Sequence, residues 1–158
     1  ETANEDQKQV ISVGGNAMMT SVVTEESAYM MQGANQMDLP KVIHDDLKKT
    51  LAIIPEIGIL ATDEATLEGI ENINGDDAYV IKVLGTGVSY TYYFNVETGL
   101  KVKESSLVNF NGQMQTNNTN YSNYTEMSGL MLPGTKTLNL NGQEISLTLG
   151  EAILKNDE

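Results

Sequence analysis

The chain has 158 residues, a formal net charge of −13 and no cysteine, which fits one globular domain and excludes a disulfide framework, a thiol nucleophile and a cysteine-based zinc site. All nine basic residues are lysines. Without arginine's bidentate fork, and with a field of that sign, nucleic acid is excluded as a partner and anionic membrane is repelled.

Glu1 to Lys8 is polar and reads as a flexible segment or linker ahead of a single domain over 9–158. The opening E-T-A-N-E-D carries no initiator Met, signal peptide or lipid-bearing Cys, so the chain reads as a processed or excised piece of something longer. Gln9 to Val13 is a short apolar run stopped by Gly14-Gly15. Ala17 to Thr24 and Ser27 to Gln32 predict two strands, with Glu25-Glu26 as the turn.

A helix is predicted over about 40–54. Asp38 is placed to cap it, Pro40 suits its first turn, and Val42, Ile43, Leu47, Leu51 and Ile54 recur at helical spacing. Pro55 and Gly58 end it. His44, Asp45, Asp46, Lys48 and Lys49 fall on the opposite face, which predicts that they are solvated.

From Ala65 onward short runs alternate with turn signals at Asn74-Gly75, Gly85-Thr86-Gly87, Thr98-Gly99, Asn111-Gly112, Ser128-Gly129 and Asn141-Gly142. Strands joined by such short turns are antiparallel. A two-residue turn at Asn141-Gly142 sets Leu140 opposite Gln143 and Leu138 opposite Ile145. Leu138, Leu140, Ile145, Leu147 and Leu149 then share a face. The same alternation puts Val88, Tyr90, Tyr92 and Phe94 on one face. Across the Val96–Gly99 loop it sets Phe94 opposite Lys101, a mismatch that predicts a bulge or a different loop length. The fold class is therefore mainly β: a curved antiparallel meander or half-barrel whose apolar concave face is covered by the helix. A two-layer sandwich is the competing solution.

The residues offer little chemistry. His44 is the only imidazole, and H-x-x-E-H, H-E-x-x-H and G-x-S-x-G are all missing, so neither a zinc peptidase site nor a serine triad can be assembled. Asp63-Glu64 and Asp76-Asp77 lack the apolar setting that tunes acid–base carboxylates. Gly85-Thr86-Gly87 is followed by a strand, so it is no phosphate cradle. These residues predict no catalytic residue, no metal ligand, no cofactor and no enzyme. Thr116 to Thr125 holds three N-x-[ST] sequons, at Asn117, Asn120 and Asn123. It reads as a polar strand, with a glycosylated or sugar-binding surface as the alternative. Eight methionines suit either core gaps or an adaptable pocket.

Three segments carry a family resemblance. G-I-E-N-I-N-G-D-D-A-Y-V-I-K-V (69 to 83) resembles the element G-x-E-x-V-N-G-K-D-A-Y-x-V-K-V. Y-Y-F-N-V-E-T-G-L-K-V-K-E (92 to 104) resembles Y-Y-F-D-x-E-T-G-L-L-V-K, and M-S-G-L-M-L-P-G-T-K-T (127 to 137) resembles V-D-G-I-K-F-P-x-K. In that order the set is similar to the LolA/LolB-like lipoprotein-carrier superfamily, and within it to copies fused after insulinase-like zinc peptidases of Bacteroidetes-type bacteria. Upstream, L-A-I-I-P-E-I-G (51 to 58) is similar to the F-P-E-L stretch of those copies. Two departures stand out: Gly134 after Pro133, and the Asn/Tyr run where an acidic strand is usual.

The resemblance implies an exported, periplasmic or cell-envelope domain without catalysis, appended to an upstream peptidase domain in the parent chain. Its partner would be a hydrophobic ligand or a lipidated or peptide segment. A free-standing carrier of lipoproteins or other hydrophobic cargo is the alternative. The candidate ligand-lining residues are Tyr79, Ile81, Tyr90, Tyr92, Phe94, Val102, Leu138, Leu140, Ile145 and Leu147.

Overall fold

The computed structural model describes residues 7–13, 16–51, 56, 59, 63–110, 112–127, 129–140 and 143–148. Within them lie eleven strands and one helix. The strands are β1 (Gln7–Val13), β2 (Asn16–Val23), β3 (Ala28–Gln32), β4 (Asn35–Asp38), β5 (Ala65–Ile73), β6 (Asp76–Val83), β7 (Val88–Asn95), β8 (Lys101–Phe110), β9 (Gln113–Met127), β10 (Leu130–Leu140) and β11 (Gln143–Thr148). The helix, α1, spans Lys41–Lys48. One sheet runs β1-β2-β3-β4 and the other β11-β10-β9-β8-β7-β6-β5. Sequence neighbours are spatial neighbours throughout, as short turns require. Among the described residues neither sheet closes on itself, and these residues form a mainly β fold of open antiparallel sheets with the helix α1.

The chain divides into two compact units. The first comprises Glu1–Thr66, Val83–Ser89 and Val108–Gln115, and the second Leu67–Lys82, Tyr90–Leu107 and Thr116–Glu158.

In the first unit the registers Ile11↔Met19, Val23↔Ala28 and Met30↔Met37 put Ile11, Val23 and Ala28 on one face of the four-stranded sheet. All three are buried. Val23 and Ala28 form a core with Leu51, against which Leu39 and Leu47 pack. Each large aliphatic side chain buried this way contributes roughly 1.5–3 kcal/mol.

Helix α1 is shorter than its apolar spacing predicts. The amides of Lys49, Thr50 and Leu51 bond the carbonyls three residues back, of Asp46, Leu47 and Lys48, so the last turn tightens. The Thr50 hydroxyl also donates to the Leu47 carbonyl at 2.7 Å, satisfying a terminal acceptor that another turn of helix would use. Ile54, Pro55 and Gly58 lie outside the described residues. Pro40 occupies the N-cap position with no side-chain cap bond. Asp38, expected to cap, ends β4 instead, and its carboxylate accepts from Gln36 Nε2 at 2.8 Å.

His44 and Asp46 overturn the expectation of a wet face, because both are buried. His44 Nε2 lies 2.8 Å from the Thr24 carbonyl. Asp46 Oδ2 accepts the amides of Gly87 and Val88, at 2.7 and 3.0 Å. Spacing of apolar residues cannot reveal these positions, since each polar group is buried against a backbone partner that sequence does not display. Val42, counted as apolar stripe, is 47% exposed. The approach depends on glycine: a Cβ on Gly87 would meet the backbone of Val42 and Ile43 at 2.7 Å. Gly85-Thr86-Gly87 is thus a close-packing turn that seats the helix.

In the second unit the turns fix the register. Asn74 and Gly75 both take positive φ, 57° and 106°, as a two-residue type I′ hairpin requires, and Asn72 Oδ1 accepts the Gly75 amide at 3.0 Å. After β7, Gly99 (φ 70°) donates to the Asn95 carbonyl while the Asn95 amide donates to the Leu100 carbonyl, each at 2.9 Å. Gly99 thus takes the left-handed position of a bulge within the four-residue loop, but the register that sets Phe94 opposite Lys101, the mismatch a bulge was expected to relieve, is kept. Leu138 pairs with Ile145 and Leu140 with Gln143, as the Asn141-Gly142 turn predicts. Strand β11 covers β10 from Thr135 to Leu140 only. Pro133 pairs with Tyr124 of β9.

Candidate functional site

The registers of the second unit align side chains from consecutive strands into one row. The β5–β6 hairpin sets Ile70 opposite Tyr79. The Val96 amide donates to the Asp77 carbonyl at 2.9 Å, and carried along the antiparallel ladder this sets Phe94 opposite Tyr79 and Tyr92 opposite Ile81. Beyond the Gly99 bulge, Phe94 opposes Lys101. Lys101 Nζ then sits over two rings, 5.3 Å from the centre of Tyr92 and 4.3 Å from that of Tyr121. Tyr121 pairs with Lys136, which pairs with Leu147. Ile70, Tyr79, Phe94, Lys101, Tyr121, Lys136 and Leu147 therefore share a face.

Exposure along this face is uneven. Tyr92 is 2% exposed and Tyr90 is buried, and their rings stack at 5.6 Å with an interplanar angle of 7°. Tyr92 and Phe94 meet at 6.3 Å in a tilted arrangement. At the turn end the face opens, with Tyr79 39% and Ile70 57% exposed. A covered aromatic floor therefore continues into an accessible apolar rim.

The polar part of the site is built around Glu104. Its Oε2 accepts from Lys101 Nζ at 2.8 Å and from the Tyr121 hydroxyl at 3.0 Å. The Tyr124 hydroxyl donates to the Lys101 carbonyl at 2.6 Å, tying β9 to the root of that lysine. Lys136 Nζ stands 5.7 Å from the centre of the Tyr121 ring. The Lys101 and Glu104 side chains are only 13% and 20% exposed. Their ion pair is therefore less screened than a surface one, and each ring face over the ammonium adds attraction of about 0.5–2 kcal/mol.

Strict alternation would place Lys101 and Glu104 on opposite faces. Instead Lys103 Nζ lies over Tyr93, at 4.9 Å, and Tyr93 faces away from its neighbour Tyr92. Alternation is thus interrupted between Lys101 and Lys103, which returns Glu104 to the Lys101 face. On the other face, burial and then the Glu71 carboxylate push the Tyr93 phenol pKa up. That coupling agrees with the ladder, which brings Glu71 beside Ala78 and Tyr93 beside Val80.

The candidate lining residues fall as follows. Tyr79, Ile81, Tyr90, Tyr92 and Phe94 occupy the face of the row, with Ile81 and Phe94 half-buried. Leu138 and Ile145 pair directly and are half-buried like Leu147. Leu140 is placed by its backbone pairing, and its side chain lies outside the described residues. Val102 is half-buried where alternation breaks. Sequence reasoning missed Ile70, Lys101 and Glu104, and it offered Tyr121 only as part of the sugar-binding alternative for the Asn/Tyr run. The pairing of Phe94 with Lys101 is the available signal, since it sets a charge against the apolar row. The sequon residues Asn117, Asn120 and Asn123 are exposed along β9. Among the described residues, no three His, Asp or Glu side chains gather to hold a metal ion, and no helix is long and apolar enough to cross a membrane.

No family model and no curated protein matches the chain. Among solved structures the chain is similar to a LolA superfamily protein, NE2245 from Nitrosomonas europaea, at 16% identity and a TM-score of 0.47. The alignment covers 86% of this chain and 64% of that one.

Proposed function

We propose that this is a non-catalytic binding domain, exported to the periplasm or cell envelope, that takes an apolar ligand or partner segment on the Tyr79–Phe94 face. The observation that carries this reading is the row itself. Aromatic and aliphatic side chains from β5, β6 and β7 share one face, covered at Tyr92 and accessible at Tyr79 and Ile70. Apolar side chains exposed together in this way mark interaction sites more often than scattered ones do. The three motifs similar to the lipoprotein-carrier superfamily point to the same class of ligand.

Titration with a fluorescent lipid tests the proposal. Saturable binding that weakens when Tyr79 and Phe94 are both replaced by serine supports it, and an absence of saturable binding refutes it.

The same motifs favour a parent chain in which an insulinase-like peptidase precedes this domain, over a free-standing carrier. The reading frame around residue 1 separates the two. An upstream H-x-x-E-H motif establishes the appendage, and a signal sequence immediately before residue 1 establishes the carrier.

A further inference from the structure

We infer that the Lys101–Tyr121 pair is a receptor for a carboxylate head group, currently occupied by the protein's own Glu104, and that the ligand of the apolar face is an amphiphile ending in a carboxylate. The inference rests on the apolar-face reading above and specifies the polar end of that ligand. Two donors, one charged and one phenolic, converge on a single carboxylate oxygen, Lys101 Nζ at 2.8 Å and Tyr121 Oη at 3.0 Å. Charge-assisted bonds from two directions are what a carboxylate receptor consists of.

Position points the same way. Lys101 opposes Phe94, so the receptor adjoins the apolar row, and its ammonium lies against the Tyr92 ring that floors it. A chain lying along Phe94 and Tyr79 would present its head at Lys101. Sign is the third argument. In a chain of net charge −13, two lysines, Lys101 and Lys136, stand within 6 Å of one tyrosine ring centre, at 4.3 and 5.7 Å. That favours an anionic head over a cationic one.

Glu104 acts as a tethered occupant. Being held in place by β8, it competes at high effective concentration, and a ligand carboxylate enters by exchanging one set of charge-assisted bonds for an equivalent set. No bond other than hydrogen bonds is made or broken.

The test is calorimetric titration of the full chain with decanoate, decanol and propionate, for wild type and for Glu104→Gln, Lys101→Met and Tyr121→Phe. Wild type is expected to bind decanoate more tightly than decanol. Glu104→Gln should raise decanoate affinity about tenfold, the scale of one charge-assisted bond, with decanol unchanged. Lys101→Met should bring decanoate down to the level of decanol. Tyr121→Phe, which removes one oxygen and leaves the ring, should give an intermediate loss even if the other variants prove poorly folded. Propionate should bind weakly or not at all, and propionate binding as tight as decanoate would reduce the site to a free-anion site and overturn the amphiphile. If decanol and decanoate bind alike in every variant, the head-group receptor is refuted and the apolar face stands. If neither binds any variant, both readings fall.

Discussion

The Asp46 carboxylate accepts the Gly87 amide at 2.7 Å and the next amide, of Val88, at 3.0 Å, so a helix residue anchors the first turn of a β-strand through one oxygen. Lys49 Nζ lies 3.5 Å from the other oxygen of that carboxylate. Asp46→Asn keeps the volume but replaces a charged acceptor with an amide that brings two protons into a donor-lined site. A loss of about 1–3 kcal/mol is expected, read as a lower urea midpoint with an unchanged m-value.

Gly87 and Gly99 are both required, for different reasons that substitution separates. At Gly87 an added methyl meets the Val42 and Ile43 backbone at 2.7 Å, so Gly87→Ala is overpacked and should cost about 1–3 kcal/mol. At Gly99 an added Cβ meets nothing within 4 Å, but φ is +70°. Gly99→Ala should cost about 1–2 kcal/mol through the backbone alone. Gly99→Asn should recover part of that loss, because asparagine tolerates the left-handed region, whereas Gly87→Asn should be worse than Gly87→Ala. Thermal melts of the four variants check the contrast.

Removing the cation of the polar cluster leaves Glu104 with the Tyr121 hydroxyl as its other partner named above. Lys101→Met is expected to cost about 1–2 kcal/mol, short of the 3–5 typical of a fully buried pair, since both groups keep some solvent. The double variant Lys101→Met/Glu104→Gln should be less destabilised than the sum of the singles. Strict additivity in a double-mutant cycle would show that the pair is not coupled.

Tyr93 offers a pH test. Its pKa is raised above the ordinary 10.0, by burial first and the Glu71 charge second. A raised folded-state pKa means that the folded chain holds its proton where the unfolded chain has lost it. The associated stability is complete below pH 10 and declines as pH climbs through the folded-state value. Tyr93→Phe should therefore lose less stability than wild type between neutral pH and the alkaline side of 10, measured as the difference between their denaturation midpoints.

How much of this was legible in sequence depends on what carried the signal. Asn-Gly dipeptides specify their own backbone, so the turns at Asn74-Gly75 and Asn141-Gly142 fixed registers that the alternating Leu138, Ile145 and Leu147 pattern corroborated. The pairing of Phe94 with Lys101 was legible as well, and the structure keeps it although it looked awkward. Its outcome was not legible. Glu104 reaches Lys101 only because alternation breaks between them, and nothing local in V-K-E announces that break. His44 and Asp46 were misplaced because a periodicity count treats every polar residue as solvent-seeking. Their partners, the Thr24 carbonyl and the Gly87 amide, are backbone groups distant in sequence. Strand β4 was missed because Asn35–Asp38 is exposed along its length and has no apolar alternation to betray it.

The pairing of β10 bears on which residues that strand can accept. Among the described residues, β11 pairs with β10 from Thr135↔Thr148 to Leu140↔Gln143. Pro133 precedes that stretch, paired with Tyr124 of β9. Having no N–H, it offers the ladder one donor fewer, yet β9 and β10 stay paired on either side of it. Gly134 next to it would bring a Cβ against the Asn123 carbonyl, so the strand can hardly exchange this dipeptide for better β-formers. A proline without an N–H beside a glycine without room for a Cβ thus makes M-L-P-G a stretch of β10 with little latitude for substitution.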